Sequence, residues 1–175
     1  PEEPEEYSQL SINLTKSLTK AEKKANGIFF TPPNTIKHDI DFILSLNTEI
    51  KNVLEPSCGS CEFIKYLDSK IENVNFDCVE YNETIYNEIK DLQINNNFSP
   101  FNEDFIKFKT DKKYELIIGN PPYFNFQKAL IPKEYYKYMN GRTNIYIIFI
   151  LKCLTLLTDN GVLSFVLPQN FLNCT

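Results

Sequence analysis

The stretch KNVLEPSCGS, Lys51–Ser60, decides how the rest of the chain is read. Lys51–Glu55 has the apolar pair and the length of a short strand. Pro56 then turns the chain, and small residues lead into a helix expected over Ser60–Ser69. The same succession recurs downstream. Strands are expected over Asn75–Glu80, Tyr114–Gly119 and Gly161–Leu167, helices over Asn82–Gln93 and Thr143–Leu157, and a further short edge strand over Asn97–Phe101. Strands alternating with helices predict an α/β fold with a mostly parallel sheet and helices on both faces. Ligands of such sheets bind outside the carboxyl ends of the strands, so the residues that end each strand are the candidates for chemistry.

Upstream, Asn34–Leu46 carries Ile36, Ile40, Ile43 and Leu44 at helical spacing, and Thr31-Pro32-Pro33 stops any helix entering from before it. Leu10–Ala25, polar and lysine-bearing, reads as a helix, and Pro1–Glu6, acidic and proline-punctuated, as a solvated leader. Residues 1–27 are therefore set apart as leader and helix, and residues 28–175 as one α/β domain. A chain of 175 residues with 42% apolar and 14% aromatic content can bury one sizeable core and is not disordered. The longest apolar run, Ile145–Leu151, falls far short of the roughly 18–20 residues that span a bilayer. With no such span and no secretory signal, the expectation is an intracellular protein with reduced thiols and no membrane partner. Of five cysteines, Cys58 and Cys61 form a Cys-x-x-Cys pair. A structural zinc needs a second pair of ligands, and the single histidine, His38, has nothing beside it, so no metal is expected.

The net charge of −5 weighs against a stand-alone nucleic-acid-binding module. Its distribution says more. Between Tyr123 and Arg142 the chain carries Lys128, Lys133, Lys137 and Arg142 against a single acid, Glu134, interleaved with Tyr123, Phe124, Phe126, Tyr135, Tyr136 and Tyr138. That mixture suits a loop that contacts phosphates and bases, and equally an ordinary solvated loop with packing aromatics.

The strand ends hold acids. Glu55 closes the first strand, and Pro56, Ser57, Cys58 and Gly59 shape the tight loop after it. Such a loop lets a ligand approach the backbone. The acid would repel a pyrophosphate and suits a cationic, zwitterionic ligand such as the amino acid part of S-adenosylmethionine; a plain strand-to-helix turn is the other reading. Glu80 ends the second strand, where a carboxylate can accept from ribose hydroxyls. Asp104-Phe105 pairs an acid that can accept from an adenine amino group with a ring that can pack on it, or else is a capping Asp beside a core Phe.

After the apolar strand Tyr114–Gly119 comes Asn120-Pro121-Pro122-Tyr123. The prolines stiffen the turn and fix the direction of the Pro121 carbonyl. The Asn120 side-chain oxygen and that carbonyl can accept both protons of an amino group conjugated to a ring, aiming its lone pair outward, while Tyr123 offers a flat face for stacking. In-line methyl transfer to such a nitrogen needs positioning and electrostatics and no cysteine nucleophile.

Phe29-Phe30-Thr31-Pro32-Pro33, the loop Val53–Ser60, Asp104-Phe105 and Asn120-Pro121-Pro122-Tyr123, in this order, resemble the adenine-N6 DNA methyltransferases of restriction–modification systems, in the subgroup whose target-recognition region follows the catalytic domain. Gly141-Arg142-Thr143-Asn144-Ile145-Tyr146 and the strand Gly161–Leu167 extend the likeness, which runs from about Ile28 to the C-terminus. The resemblance implies a Rossmann-like S-adenosylmethionine-dependent methyltransferase domain, in the cytoplasm or with the DNA, acting on double-stranded DNA with an adenine flipped out of the stack. It implies that Thr31 and Pro32 contact the methionine end of the cofactor, that Glu55 binds its amino group, and that Ser57, Cys58 and Gly59 line the loop. Glu80 would take the ribose, Asp104 and Phe105 the adenine, and Asn120 would stand beside both cofactor and target. Asn120, Pro121, Pro122 and Tyr123 would form the catalytic loop. Tyr123, Phe124, Lys128, Lys133, Lys137, Arg142 and Asn144 are the candidates for contact with DNA. Two departures stand out. Members of the family often have glycine where this chain has Cys61. The chain also ends at Thr175, so a C-terminally incomplete domain without C-terminal strands or a target-recognition domain is expected, to be completed by a separate recognition region or accompanied by a nuclease partner. Asn-Pro-Pro-Tyr also serves glutamine methyltransferases of release factors and some RNA guanine methyltransferases. Those acceptors, or an inactive cofactor-binding fragment, are the alternatives.

Overall fold

The strands run parallel in one sheet, and their order explains where a ligand can enter. In the computed structural model, which describes residues 6–17, 19, 30–46, 48–126, 132–138 and 143–169, the elements are α1 (Gln9–Ser17), α2 (Pro33–Ser45), β1 (Asn52–Glu55), α3 (Glu62–Asp68), β2 (Asn75–Glu80), α4 (Glu83–Ile89), β3 (Asn97–Asn102), β4 (Tyr114–Gly119), β5 (Asn125–Phe126), β6 (Thr143–Asn144), α5 (Ile145–Leu156) and β7 (Leu157–Phe165). A 3-10 helix, Lys133–Tyr138, lies between β5 and β6. The sheet order is β3-β2-β1-β4-β7, and β5 and β6 form a separate antiparallel pair. The chain builds outward from β1 through β2 to β3, then returns to the far side of β1 with β4. The strand order therefore reverses between β1 and β4, and a parallel sheet leaves its ligand crevice at that point.

Alternation along the strands assigns each residue to one of two cores. Val53, Phe76, Cys78, Leu116 and Ile118 face one side, packed with Ile36, Ile40 and Ile43 of α2, Phe63, Ile64 and Leu67 of α3, and Ile85 and Ile89 of α4. Leu54, Val79 and Ile117 face the other, covered by Ile145, Phe149, Cys153 and Leu156 of α5 and by Phe105 and Phe108. Both faces are buried, as the expected fold class requires. Helix α1, within the segment read as leader and helix, places Leu14 in the first core, and its Ser11 hydroxyl lies 2.7 Å from that of Ser60. Residues 20–25 of the helix expected there lie outside the described residues.

Element boundaries shift for local reasons. Helix α3 starts at Glu62 because Cys61, at its N-cap, is left-handed with φ 59°. Helix α4 starts behind Asn82, whose side chain accepts from the Ile85 N–H, and stops at Ile89, where the Leu92 N–H turns back onto the Ile89 carbonyl. Helix α5 begins at Ile145, capped by Asn144. Strand β7 starts at Leu157, earlier than expected. Its pairing with β4 steps from Tyr114–Leu157 to Leu116–Val162, so the residues between are accommodated in a bulge. Gly161 sits in that bulge, where a Cβ would lie 2.8 Å from the Tyr114 carbonyl oxygen. Gly161→Ala is expected to lower the unfolding free energy by about 1–3 kcal/mol through overpacking, seen as an earlier midpoint in urea. An unchanged midpoint would mean that the backbone around Tyr114 yields freely.

Candidate active site

The carboxyl ends of β1, β2 and β4 surround a cleft of about 410 Å³ whose walls include Glu55, Ser57, Glu80, Asp104, Asn120 and Phe124. The loop after β1 is tied to both neighbouring strands. The Cys58 N–H donates to the Val79 carbonyl at 3.0 Å, the Gly59 N–H to Glu80 Oε2 at 2.9 Å, and the Ser57 hydroxyl to the Asn120 carbonyl at 3.0 Å. Gly59 is left-handed, φ +52°, so the loop bends tightly beside the cleft.

Glu55 is the electrostatic centre of the site. It is 2% exposed, and its Oε2 has no hydrogen-bond partner among the described residues. Burial pushes its carboxyl well above the usual range, and Cys61, Glu62 and Glu80 push the same way. A buried acid without a donor is stabilised by a cation brought into the cleft. An ammonium group supplies both the charge and the hydrogen bonds that Oε2 lacks. Glu80 differs. Burial raises its carboxyl to about 7, but N–H donors from Asn82 and Gly59 hold its two oxygens.

Asp104 lines the cleft, with Oδ1 accepting from the Ile106 N–H at 3.0 Å. Phe105 does not line it. The ring is 2% exposed and packs in the core against Phe149, 4.9 Å between centroids, while Ile106 takes the position on the wall. The residue expected to lie on a ligand ring thus anchors the turn from beneath. The turn is also held by Lys152 of α5, whose ammonium donates to the carbonyls of Phe105, Ile106 and Phe108 and sits 4.9 Å from the Phe105 ring. Sequence reading missed Lys152. Its signal was there: it is the one charged residue in the otherwise apolar α5, IYIIFILKCLTL.

In the Asn120–Phe124 segment the lining alternates. Asn120, Pro122 and Phe124 face the cleft, whereas Pro121 is buried and Tyr123 lies outside the lining. Asn120 Nδ2 donates to the Thr31 hydroxyl at 3.0 Å, and its Oδ1 accepts from the Tyr123 hydroxyl, which also meets the Val166 carbonyl. The Tyr123 ring stands edge-on to Tyr146, 6.2 Å between centroids. Burial raises the Tyr123 hydroxyl to about 12, so it remains a donor at neutral pH. Asn120 and Tyr123 are therefore one hydrogen-bonded unit here, and the flat face expected for stacking is turned away from the cleft.

Among the remaining expected residues, Thr31, Ser57, Cys58 and Gly59 line the cleft, and Pro32 is exposed at the N-cap of α2. Asn144 caps α5 beside the β5–β6 pair. Lys133 and Lys137 are exposed on the 3-10 helix, Lys137 over the Tyr138 ring at 4.8 Å. Lys128 and Arg142 lie outside the described residues. A grouping the sequence did not show is that of Glu55, Cys61 and Cys78, whose carboxylate oxygen and sulfurs lie within 4.8 Å of one another.

Two predictions follow from this geometry. Lys152→Met leaves three carbonyls without their donor and should cost about 2–4 kcal/mol of stability. Amide exchange should speed up at Lys107 and Phe108, both of which bond to the Asp104 carbonyl; protection equal to the parent chain would show that the turn stands without Lys152. For Glu80, a carboxyl raised from 4.5 to about 7 holds its proton more tightly in the folded chain than in the unfolded one. Its contribution therefore lowers stability as pH rises between those values, and Glu80→Gln should flatten the slope in that window, measured by urea unfolding at stepped pH. An identical slope would remove Glu80 from the account.

Comparison with known proteins agrees with this geometry. The Eco57I restriction-modification methylase family matches residues 5–175. Modification methylase CviBIII of Paramecium bursaria Chlorella virus NC1A is 33% identical over 97% of this chain and 45% of its own length. Type II methyltransferase M.CvrRI of Paramecium bursaria Chlorella virus XZ-6E is 36% identical over 95% and 42%, and M.AccI of Acinetobacter calcoaceticus 32% identical over 95% and 32%. The chain thus spans less than half the length of these curated relatives. Among solved structures, a Listeria monocytogenes protein assigned as a class I S-adenosylmethionine-dependent methyltransferase superposes with a TM-score of 0.69 at 18% identity, covering 95% of this chain and 55% of that one. The plantazolicin methyltransferase BpumL, in complex with a substrate analogue and S-adenosylhomocysteine, gives 0.54 at 13% identity over 90% and 52%. The fold is the Rossmann-like one of S-adenosylmethionine-dependent methyltransferases, and the expected cofactor is in keeping with these neighbours. By sequence, fold and the arrangement of its strand ends, this chain belongs to the Eco57I restriction-modification methylase family.

Proposed function

We propose that this chain is the cofactor-binding and catalytic part of a DNA methyltransferase that transfers a methyl group from S-adenosylmethionine to the exocyclic N6 of a flipped-out adenine. The observation that carries the reading is the pairing, across one crevice, of a buried carboxylate lacking a partner, Glu55, with the stiff Asn120-Pro121-Pro122 turn. The names of the relatives, modification methylase and Type II methyltransferase, support DNA as the acceptor.

When bound, S-adenosylmethionine supplies a methyl group on an electrophilic sulfonium. The residues around it bind and orient. Glu55 accepts from the ammonium and is held ionised by it. Glu80 accepts from the ribose hydroxyls, and Asp104 from the adenine amino group, with its turn clamped by Lys152. Asn120 Oδ1 and the Pro121 carbonyl accept from the amino group of the target base. For that, the Tyr123 hydroxyl leaves Oδ1, and the same motion frees the ring to stack on the extruded base. The exposed Lys133 and Lys137, with Lys128 and Arg142, neutralise backbone phosphates of duplex DNA. Sequence choice falls to a separate recognition region, and a nuclease partner completes the system.

The test is methyl transfer from labelled S-adenosylmethionine to unmethylated duplex DNA, with the product nucleosides separated. Label in N6-methyladenine is expected, and Asn120→Ala should lower it by about 10²-fold or more while cofactor affinity stays near that of the parent chain. Label in another nucleoside, or only in protein or RNA acceptors, would overturn the adenine reading.

A further inference from the structure

Cys61 and Cys78, below the first loop, have no role in the mechanism above, yet they lie close together. Cys58 and Cys61 flank a turn closed by the Cys61 N–H on the Cys58 carbonyl at 2.7 Å. Cys78 arrives from the neighbouring strand, where it is the register partner of Glu55. The sulfurs of Cys61 and Cys78 and a carboxylate oxygen of Glu55 lie within 4.8 Å of one another. Cys61 and Cys78 are wholly buried and Cys58 nearly so. Glu55, on the same side of the sheet, brings the buried Oε2 that has no partner among the described residues.

We propose that Cys61, Cys78 and Glu55 form a binding site for a thiophilic divalent cation, zinc being the natural occupant, and that its occupation excludes the ligand of the cleft. Two sulfurs and a carboxylate oxygen supply three of the four donors that tetrahedral zinc takes, at about 2.3 Å for sulfur and 2.0–2.2 Å for oxygen, and a water molecule completes the set. Such a tetrahedron needs donors about 3.5–3.8 Å apart. The oxygen of Glu55 and the sulfurs of Cys61 and Cys78 already lie within 4.8 Å, so a contraction on the order of 1 Å closes the site. The thiol protons leave to solvent as the metal binds. The Cys58–Cys61 pair alone could not do this. The second sulfur and the carboxylate come from β2 and the end of β1, which the parallel register of these strands brings alongside.

The functional consequence rests on the reading of Glu55 given above. One carboxylate cannot serve the cation and the ammonium of S-adenosylmethionine together, so each ligand must weaken the other by the same factor. Zinc then acts as a reversible inhibitor that leaves the Asn120–Tyr123 segment untouched.

The test uses the reduced protein with zinc or cadmium alone, then with S-adenosylmethionine. Cadmium should bind one ion per chain and produce a sulfur-to-metal charge-transfer absorption. Saturating zinc should raise the cofactor dissociation constant at least tenfold, and EDTA should restore it. Cys78→Ser should lose the absorption and the zinc effect while binding the cofactor as the parent chain does. Cys61→Gly should do the same at a position where glycine adopts the left-handed backbone, φ 59°, without strain, which guards against a Cys78 variant that fails to fold. An absent absorption, an absorption unchanged in both variants, or zinc binding with unaltered cofactor affinity would each overturn the proposal. A chain that binds cadmium as described but no S-adenosylmethionine would instead sink the reading of the cleft and, with it, the competition, leaving the metal site decided by the absorption in the two variants.

Discussion

Gly119 places no side chain where the ends of β1 and β4 lie side by side. At φ +151° it sits against Glu55, and a Cβ there would come within 3.3 Å of Glu55 Cγ and 3.8 Å of Pro56 Cδ. Everything at the mouth of the sheet follows from that approach. Beside the glycine the Glu55 carboxylate is buried, and the Asn120 carbonyl accepts from the Ser57 hydroxyl. The approach also makes the crevice between the two strands narrow enough to be walled by backbone as well as side chains. A larger residue at 119 would separate the acid from the turn that follows β4.

Acids surround the crevice; Lys65 pairs with Glu62 and Lys107 with Asp104, but Glu55 and Glu80 have no such ion pair among the described residues. Glu55 and Glu80 are both raised by burial, the first without a donor on Oε2 and the second with two N–H donors. Lys65 opposes the shift of Glu55 only as the smallest of its influences. Such a site is poorly solvated, which favours the neutral acids in the free protein and the charged ones only beside a compact positive ligand. The buried Asp77 on the opposite face shows the ordinary structural solution, a Lys112 ammonium at 2.8 Å and a Tyr114 hydroxyl at 2.8 Å. The contrast is between an acid satisfied on both oxygens by side chains and a buried acid whose Oε2 has no partner among the described residues.

How much of this was legible in the sequence depends on range. The strand and helix succession was readable from short apolar runs bounded by Pro, Gly and Asn, because those signals are local. So were Glu55, Glu80 and Asn120, since the end of a strand is where a parallel sheet exposes chemistry. Which side a residue faces was harder. Phe105 and Ile106, or Pro122 and Tyr123, are adjacent in sequence and opposite in space, and one residue of phase decides between cleft and core. Contacts made through other elements could not be read at all. The clamp of Lys152 on a turn more than forty residues earlier, the docking of α1 through Ser11, and the meeting of Cys78 with Cys61 all depend on register and packing.

Helix α5 joins two regions that the chain otherwise keeps apart. At its N-terminus Asn144 belongs to the β5–β6 hairpin, and two turns later Lys152 grips the Asp104 turn. Eight residues of α-helix form a stiff rod of about 12 Å. The hairpin and the turn at the floor of the cleft are therefore held at a fixed spacing along one helix.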